Sequence, residues 1–414
     1  MFGKNGARRG EIAERTAAGR GLDWFNLFVG NVQTGFGPFI SVYLTTAGWT
    51  QTGIGIALSI GTVTAMASQV PAGALVDAIR SKTRVACFSI AAFTASALMF
   101  TIAPIPLFIY LAQILHAFSS CTLGPAIAAI SRRIAGNDGL GVRLGRNVRY
   151  ASIGNAMGAA LMGAVGYSVS EQSVFFMTAA LTLPALVALL PIGRYEHRAL
   201  PAIAAARSQP EPIGRVLGDR RLLIFALCAT LFTFANAALL PLASVAITKR
   251  SGEEASLIIA GAIVLPQLTV ALISPSIGRL AERIGRRPVL IAGFCVVPLR
   301  AALLAATTDP LLILPIQLLD GIAAASIGVM VPLVTSDIAG CSGRFNVSLG
   351  LVGFAIGIGA TLSTTAAGWL ADQRGEPAAF LGLTAVGLAG LALVGLAMVE
   401  TRLQRKPPAD QDRD

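Results

Sequence analysis

Residues 113–116 read Gln-Ile-Leu-His and residues 317–320 read Gln-Leu-Leu-Asp, each inside a long apolar run. At the same offset of 204, Gly124 answers Gly328 and Ile134-Ala-Gly136 answers Ile338-Ala-Gly340. Gln33, Pro38 and Ser41 answer Asn236, Pro241 and Ser244 at an offset of 203. Further out, Gly73-Ala-Leu-Val-Asp77 answers Gly278-Arg-Leu-Ala-Glu282. One such match is chance; several in order at nearly constant offset indicate an internal duplication. Two equivalent halves can rock about a site between them and expose it to either side.

The duplicated segments are built for lipid. Hydrophobic residues make up 54% of the 414 and charged residues 13%, with a mean hydropathy of +0.71, far from the balance of a water-soluble domain. Apolar runs of about 20 residues, enough to cross a hydrocarbon core of ~30 Å, recur at 22–46, 52–76, 85–103, 106–131, 149–169, 173–192, 222–247, 254–278, 288–306, 310–337, 346–371 and 377–399. A backbone in lipid must satisfy its own hydrogen bonds, so these runs are helices unless they close into a barrel. Barrel strands need short segments with dyad alternation, and that pattern is absent. The expectation is an all-α polytopic membrane protein of twelve transmembrane helices in two pseudo-symmetric six-helix bundles. The 44 glycines and 21 prolines, many inside the runs, read as close-packing and kink positions.

Charge placement orients the chain. Lys and Arg concentrate in the N-terminal arm, the even-numbered gaps and the C-terminal tail; Lys249, Arg250 and Arg374 fall in odd-numbered gaps and Arg300 lies within a run. By the positive-inside bias both termini are cytoplasmic, in a cytoplasmic (inner) membrane. The net charge of +11 is spread over short cytoplasmic segments, so no nucleic acid partner is expected. The five cysteines, Cys87, Cys121, Cys228, Cys295 and Cys341, read as buried thiols rather than disulfides. No cleavage pattern ends the first apolar run, which reads as an uncleaved anchor.

These boundaries divide the chain into a cytoplasmic arm at 1–21, a six-helix bundle at 22–192, a cytoplasmic linker at 193–221, a second six-helix bundle at 222–399 and a cytoplasmic tail at 400–414. The linker is basic and carries Pro201, Pro210 and Pro212, as suits a hinge between halves.

Residues 73–84 read GALVDAIRSKTR and residues 278–288 read GRLAERIGRRP. With these motifs the chain resembles the major facilitator superfamily over nearly its whole length, whose signature after the second helix is Gly-x-x-x-Asp-x-x-Gly-Arg-Arg. The resemblance implies a secondary transporter working by alternating access. It also implies a conformational latch on the cytoplasmic face, built from Gly73, Asp77, Arg80, Lys82 and Arg84 and from Gly278, Glu282, Arg283, Gly285, Arg286 and Arg287. Physically, each copy sets a carboxylate at a helix end beside a basic turn, where it can neutralise arginines or face a helix N-terminus. Positive-inside topology accounts for Arg80, Lys82 and Arg84 equally well. The first copy lacks the later Gly, so its tight turn is expected to differ. Two departures separate the chain from proton-driven drug antiporters: Gln113 and His116-Ala117 stand where those carry an Arg and a Gln-Gly pair. In addition, residues 154–166, GNAMGAALMGAVG, lack their helix-five proline.

Ionisable residues inside spans are functional candidates by default, and the clear cases are His116, Arg300 and Asp320. At ~1.5 Å per residue, Arg300 and Asp320 lie at similar depth on neighbouring helices, so a structural ion pair and a proton site both fit them. The family resemblance implies that the first, fourth, seventh and tenth helices line the central cavity. It thereby places His116 and Asp320 on opposite walls as proton-coupling candidates, with Gln33, Gln113, Asn236, Gln317 and Asn31 as substrate-cavity candidates. Few fixed charges there suit a weakly polar or amphipathic organic molecule better than a phosphorylated sugar.

An enzyme is not expected: no phosphate-binding Gly-Lys-Ser/Thr loop, His-Glu-x-x-His or Cys-x-x-Cys occurs, and there are only 2 histidines, so neither cofactor nor metal is implied. The expected partners are a small-molecule substrate, protons and the bilayer, with the chain a monomer. Proton-coupled export of an organic compound is set ahead of uptake of a nutrient, organic anion or metal chelate. A non-transporting membrane sensor or assembly factor is the alternative of another class.

Overall fold

A computed structural model describes residues 2–34, 36, 38–136, 139–205, 211–251, 255–307, 309–340 and 342–402. Among them all regular structure is helical. The first bundle comprises α1 (Phe2–Thr34), α2 (Pro38–Thr46), α3 (Gln51–Ala78), α4 (Lys82–Ile102), α5 (Pro106–Ala135), α6 (Leu140–Ser168) and α7 (Glu171–Ala205). A short α8 (Ile213–Leu217) follows. The second bundle comprises α9 (Arg220–Asn236), α10 (Leu239–Ser251), α11 (Ala255–Ile284), α12 (Arg286–Ala306), α13 (Pro310–Ala339), α14 (Phe345–Arg374) and α15 (Glu376–Ala397).

Ten of these stretches are long and apolar enough to cross a membrane. The twelve are completed by α1 with α2 and by α6, where glycines and polar residues such as Asn26, Asn31 and Asn155 lower the hydropathy. Ends are cut by local chemistry. Thr50, Ser81, Asp219 and Asp309 cap α3, α4, α9 and α13 by accepting first-turn backbone N–H groups, which relieves the unpaired donors of a helix start. The first and seventh expected spans are both interrupted at one repeat-related place, ahead of Pro38 and Pro241. Both prolines fall in the first turn of the helix that resumes, where a missing N–H leaves no intrahelical bond unmade, whereas Pro71, Pro125 and Pro298 lie inside unbroken helices. At its far end α7 runs on to Ala205 and α1 starts at Phe2, so helix extends into the segments read as linker and arm.

One apolar core is drawn wholly from the first bundle, from Ala18 to Ile192, and another from the second bundle joined by Leu140 and Leu144 of α6. The bundles meet along α3 against α14 and α6 against α11. Cys87, Cys121, Cys228 and Cys295 are free thiols, Cys295 exposed on α12; Cys341, residues 206–210 of the linker and the tail beyond 402 lie outside the described residues.

Candidate functional site

Asn236 is the last residue of α9, at the interruption of the seventh span, and the main chain turns there through Ala237 and Ala238. The turn is held by Ala238 N–H donating to Ser363 Oγ of α14 at 3.0 Å. This aims Asn236 at Arg300 of α12, whose Nη1 donates to Asn236 Oδ1 at 2.8 Å and to Asp320 Oδ1 of α13 at 2.5 Å. Arg300 Nη2 donates to Gln317 Oε1 at 2.6 Å, and Asn236 Nδ2 donates to Asp320 Oδ1 at 3.3 Å. Arg300 is only 1% exposed, whereas the Asp320 side chain keeps 20% of its surface. An isolated guanidinium there would be prohibitively costly; the carboxylate and two amide oxygens neutralise and solvate it. Four sequence candidates, Asn236, Arg300, Gln317 and Asp320, are thus brought into one cluster.

His116 is not part of it. Its ring stacks on Phe36 with centroids 4.2 Å apart and meets Phe93 edge-on at 5.3 Å. Phe36 sits at the interruption between α1 and α2, so the repeat-related break carries an aromatic pack in one bundle and a charged cluster in the other. Gln113, one helical turn before His116, is buried against Gly61 of α3. Asn31 is buried and donates to Leu27 O at 3.2 Å, and Gln33 is exposed. Along the first turns of α3 an open cavity of about 600 Å³ is lined by Thr52, Ile56, Ser59, Val63 and their neighbours.

The signature motifs lie where the bundles meet. Asp77, at the end of α3, accepts from Asn346 N at 3.2 Å, Val347 N at 3.0 Å and Asn346 Nδ2 at 2.6 Å. It caps α14 across the bundle boundary, satisfying donors and facing the positive helix end. The repeat partner Glu282 of α11 accepts from Val142 N at the start of α6 at 3.2 Å. Close approach makes this possible: a Cβ on Gly73 would lie 2.1 Å from Asn346 O, and one on Gly278 2.1 Å from Gly141 O. The turns after the two motifs do differ. Gly285 takes φ +105°, a conformation suited to glycine, while Ser81 holds φ −89° and caps α4 with its hydroxyl. Among the basic residues, Lys82 Nζ donates to Ile79 O at 2.6 Å, Arg286 Nε to Asp337 Oδ2 at 2.8 Å and Arg287 Nη2 to Gly395 O. Arg80, Arg84 and Arg283 are exposed.

Two carboxylates that the sequence reading passed over secure the same end. Glu196 of α7, buried, accepts from Ser81 Oγ at 2.7 Å, Lys82 N at 2.8 Å and Thr83 N at 3.0 Å, and pairs with Arg133. Glu400 accepts from Arg286 N at 2.8 Å and Arg287 N at 3.0 Å. Burial pushes the Glu400 carboxyl up, but the N–H groups of Arg286, Arg402 and Arg287 outweigh it and hold it below the usual carboxylate range. The signal was present: Glu196-His-Arg198 and Glu400-Thr-Arg402 share the 204-residue offset. Asp23 of α1, also buried, pairs with Arg143 and Arg146 of α6.

The chain matches the family model described as the Major Facilitator Superfamily over residues 24–264 and 222–413. It is also similar to an uncharacterized MFS-type transporter of Mycobacterium tuberculosis strain CDC 1551 / Oshkosh, with 32% identity over 402 residues, 94% of this chain and 95% of the relative. The same figures hold for an uncharacterized MFS-type transporter of strain ATCC 25618 / H37Rv.

Proposed function

This chain belongs to the Major Facilitator Superfamily, and from that premise we propose that it carries a small organic molecule by proton-coupled alternating access between its two bundles. It is a secondary transporter and not an enzyme. The observation that carries the proton coupling is the Arg300–Asp320 pair, 2.5 Å apart, with the arginine sealed and the carboxylate partly exposed. Protonating Asp320 breaks the pair and leaves a buried cation to be compensated elsewhere, so the proton changes the relative energies of the conformations. His116 serves as a wall of the cavity beside Phe36 and as an auxiliary proton group. Gln33, Gln113, Asn236, Gln317 and Asn31 supply its polar lining. The substrate enters from the bilayer's aqueous faces and needs no second chain, since both walls belong to one monomer.

Asp77 and Glu282 act as the latch, with Gly73 and Gly278 admitting the close approach and Arg80, Lys82, Arg84, Arg283, Gly285, Arg286 and Arg287 shaping the basic turns. The distribution of Lys and Arg supports a cytoplasmic latch face, cytoplasmic termini and residence in the inner membrane. The reading is tested in proteoliposomes carrying an imposed proton gradient, with internal pH followed as candidate organic compounds are added. Substrate-dependent proton movement in the wild type that is absent in Asp320→Asn and reduced in His116→Gln is expected. Undiminished movement in both variants refutes the mechanism.

A further inference from the structure

Arg300 uses only part of its hydrogen-bonding capacity. Nη1 serves Asn236 and Asp320 and Nη2 serves Gln317, while Nε is shielded from solvent and has no acceptor among the described residues. Gln317 is likewise fully buried, and its Nε2 has no acceptor among the described residues. Two shielded donors therefore lie on side chains already bonded to each other, one of them cationic. Leaving such groups unmatched costs about 1–3 kcal/mol each, and unmatched groups in a native fold call for an explanation, a bound ion among them. Their complement is an anionic group with two acceptor oxygens, which guanidinium binds as a planar fork.

We propose that Arg300 and Gln317 recognise the carboxylate of a monoanionic organic substrate, and that Asp320 releases Arg300 by taking up a proton as the anion arrives. This rests on the transport reading above and names its substrate class. The proton comes from water at the exposed part of Asp320 and ends on one of its carboxylate oxygens; the anion replaces Asp320 as counter-ion to Arg300.

Charge balance then dictates the stoichiometric partner. The empty site holds Arg300 and ionised Asp320 and is neutral; the loaded site holds Arg300, the substrate anion and protonated Asp320 and is neutral too. Anion without proton leaves a net negative site, and proton without anion a net positive one, both penalised by burial. Binding of one therefore strengthens binding of the other, and the two move in the same direction. This linkage favours symport, hence uptake under an inward proton gradient, over the export set first from sequence. No other charged group intrudes among the described side chains. The helices packed on α13 keep theirs toward their ends: Arg220 and Arg221 on α9; Arg143, Arg146 and Arg149 on α6; Arg279, Glu282 and Arg283 on α11; Asp372 and Arg374 on α14; Arg286 and Arg287 on α12.

The test uses the full chain purified in detergent, in weakly buffered solution with a pH indicator, and compares benzoate, benzamide and inorganic phosphate at millimolar concentration. Benzoate is expected to raise the melting temperature and to draw a proton per bound anion; benzamide and phosphate are expected to do neither. Arg300→Gln should weaken benzoate binding about tenfold or more. Asp320→Asn, neutral in advance, should bind benzoate without proton uptake. The proposal fails if benzamide or phosphate stabilises as well as benzoate, if benzoate binds without proton uptake in the wild type, or if benzoate does not bind. The wild-type comparison decides even where a variant does not fold. If benzamide matches benzoate while Asp320→Asn still abolishes gradient-driven flux, transport stands and the carboxylate assignment falls. If benzoate draws its proton while Asp320→Asn transports normally, the anion site stands and the coupling falls.

Discussion

Asp77 of α3 and Asn346 of α14, 269 positions apart in the chain, are joined through both the backbone N–H and the side-chain amide of Asn346. With the Val347 N–H at 3.0 Å, this carboxylate caps a helix of the other bundle. Glu282 makes the repeat-related contact with one bond, to Val142 N at 3.2 Å. The two contacts are thus unequal, and the first carries more hydrogen bonds.

Asp77→Ala is therefore expected to favour separation of α3 from α14 by about 1 kcal/mol, the usual cost of losing an N-cap, or roughly a fivefold change in population. Glu282→Ala should do less. Maleimide labelling of a cysteine introduced at Val347 reads both; equal rates in the two variants contradict the ranking.

Gly73→Ala and Gly278→Ala should raise such labelling more than Asp77→Ala does. The added methyl meets backbone oxygen at 2.1 Å in each case, and backbone yields less readily than a side chain. Wild-type labelling in both alanine variants contradicts the packing.

Breaking the buried pair singly, as Arg300→Met or Asp320→Leu, should destabilise the protein by about 3–5 kcal/mol, because one charge is stranded. The double variant should recover most of that loss while remaining inactive in transport. Thermal unfolding in detergent supplies the cycle; a double variant as unstable as the sum of the singles shows the two residues to be uncoupled.

Glu400 gives a pH signature. Its folded-state carboxyl lies below the usual range, so its contribution is fully present above the unfolded value of about 4.3 and is lost as pH falls through the lower, folded value. Exchange protection of the Arg286 and Arg287 amides, corrected for intrinsic rate, should drop across that acid window in the wild type. In Glu400→Gln it should be low and flat; a step that survives there belongs to another group.

Much of the architecture was legible in the row of residues. Hydropathy marked the spans, Pro38 and Pro241 read as kink positions at what prove to be paired interruptions, and the two motifs marked the carboxylates that meet the other bundle. Arg300 and Asp320 were legible as candidates, and their similar depth made a pair conceivable. Glu196 and Glu400 were missed because each lies beyond an apolar run, where charge reads as topology; only their common offset and the Glu-x-Arg pattern set them apart. His116 and Asp320 are repeat-related, yet one stacks on Phe36 and the other binds Arg300, since duplication preserves position more strictly than surroundings.

The sequence by itself determined that the chain is helical, spans a membrane and is folded twice over, because apolar length, proline placement and repeat offset are properties of the chain read along its own axis. Tertiary structure alone decided that Asp320 turns to Arg300 and not to His116, that Asp77 caps α14, and that Gln317 and Arg300 keep unmatched donors. In a membrane, an apolar helix face satisfies lipid and protein core alike, so the rotation and register of each helix are left open by its pattern. They are settled only when neighbouring helices supply the partners that buried polar groups require.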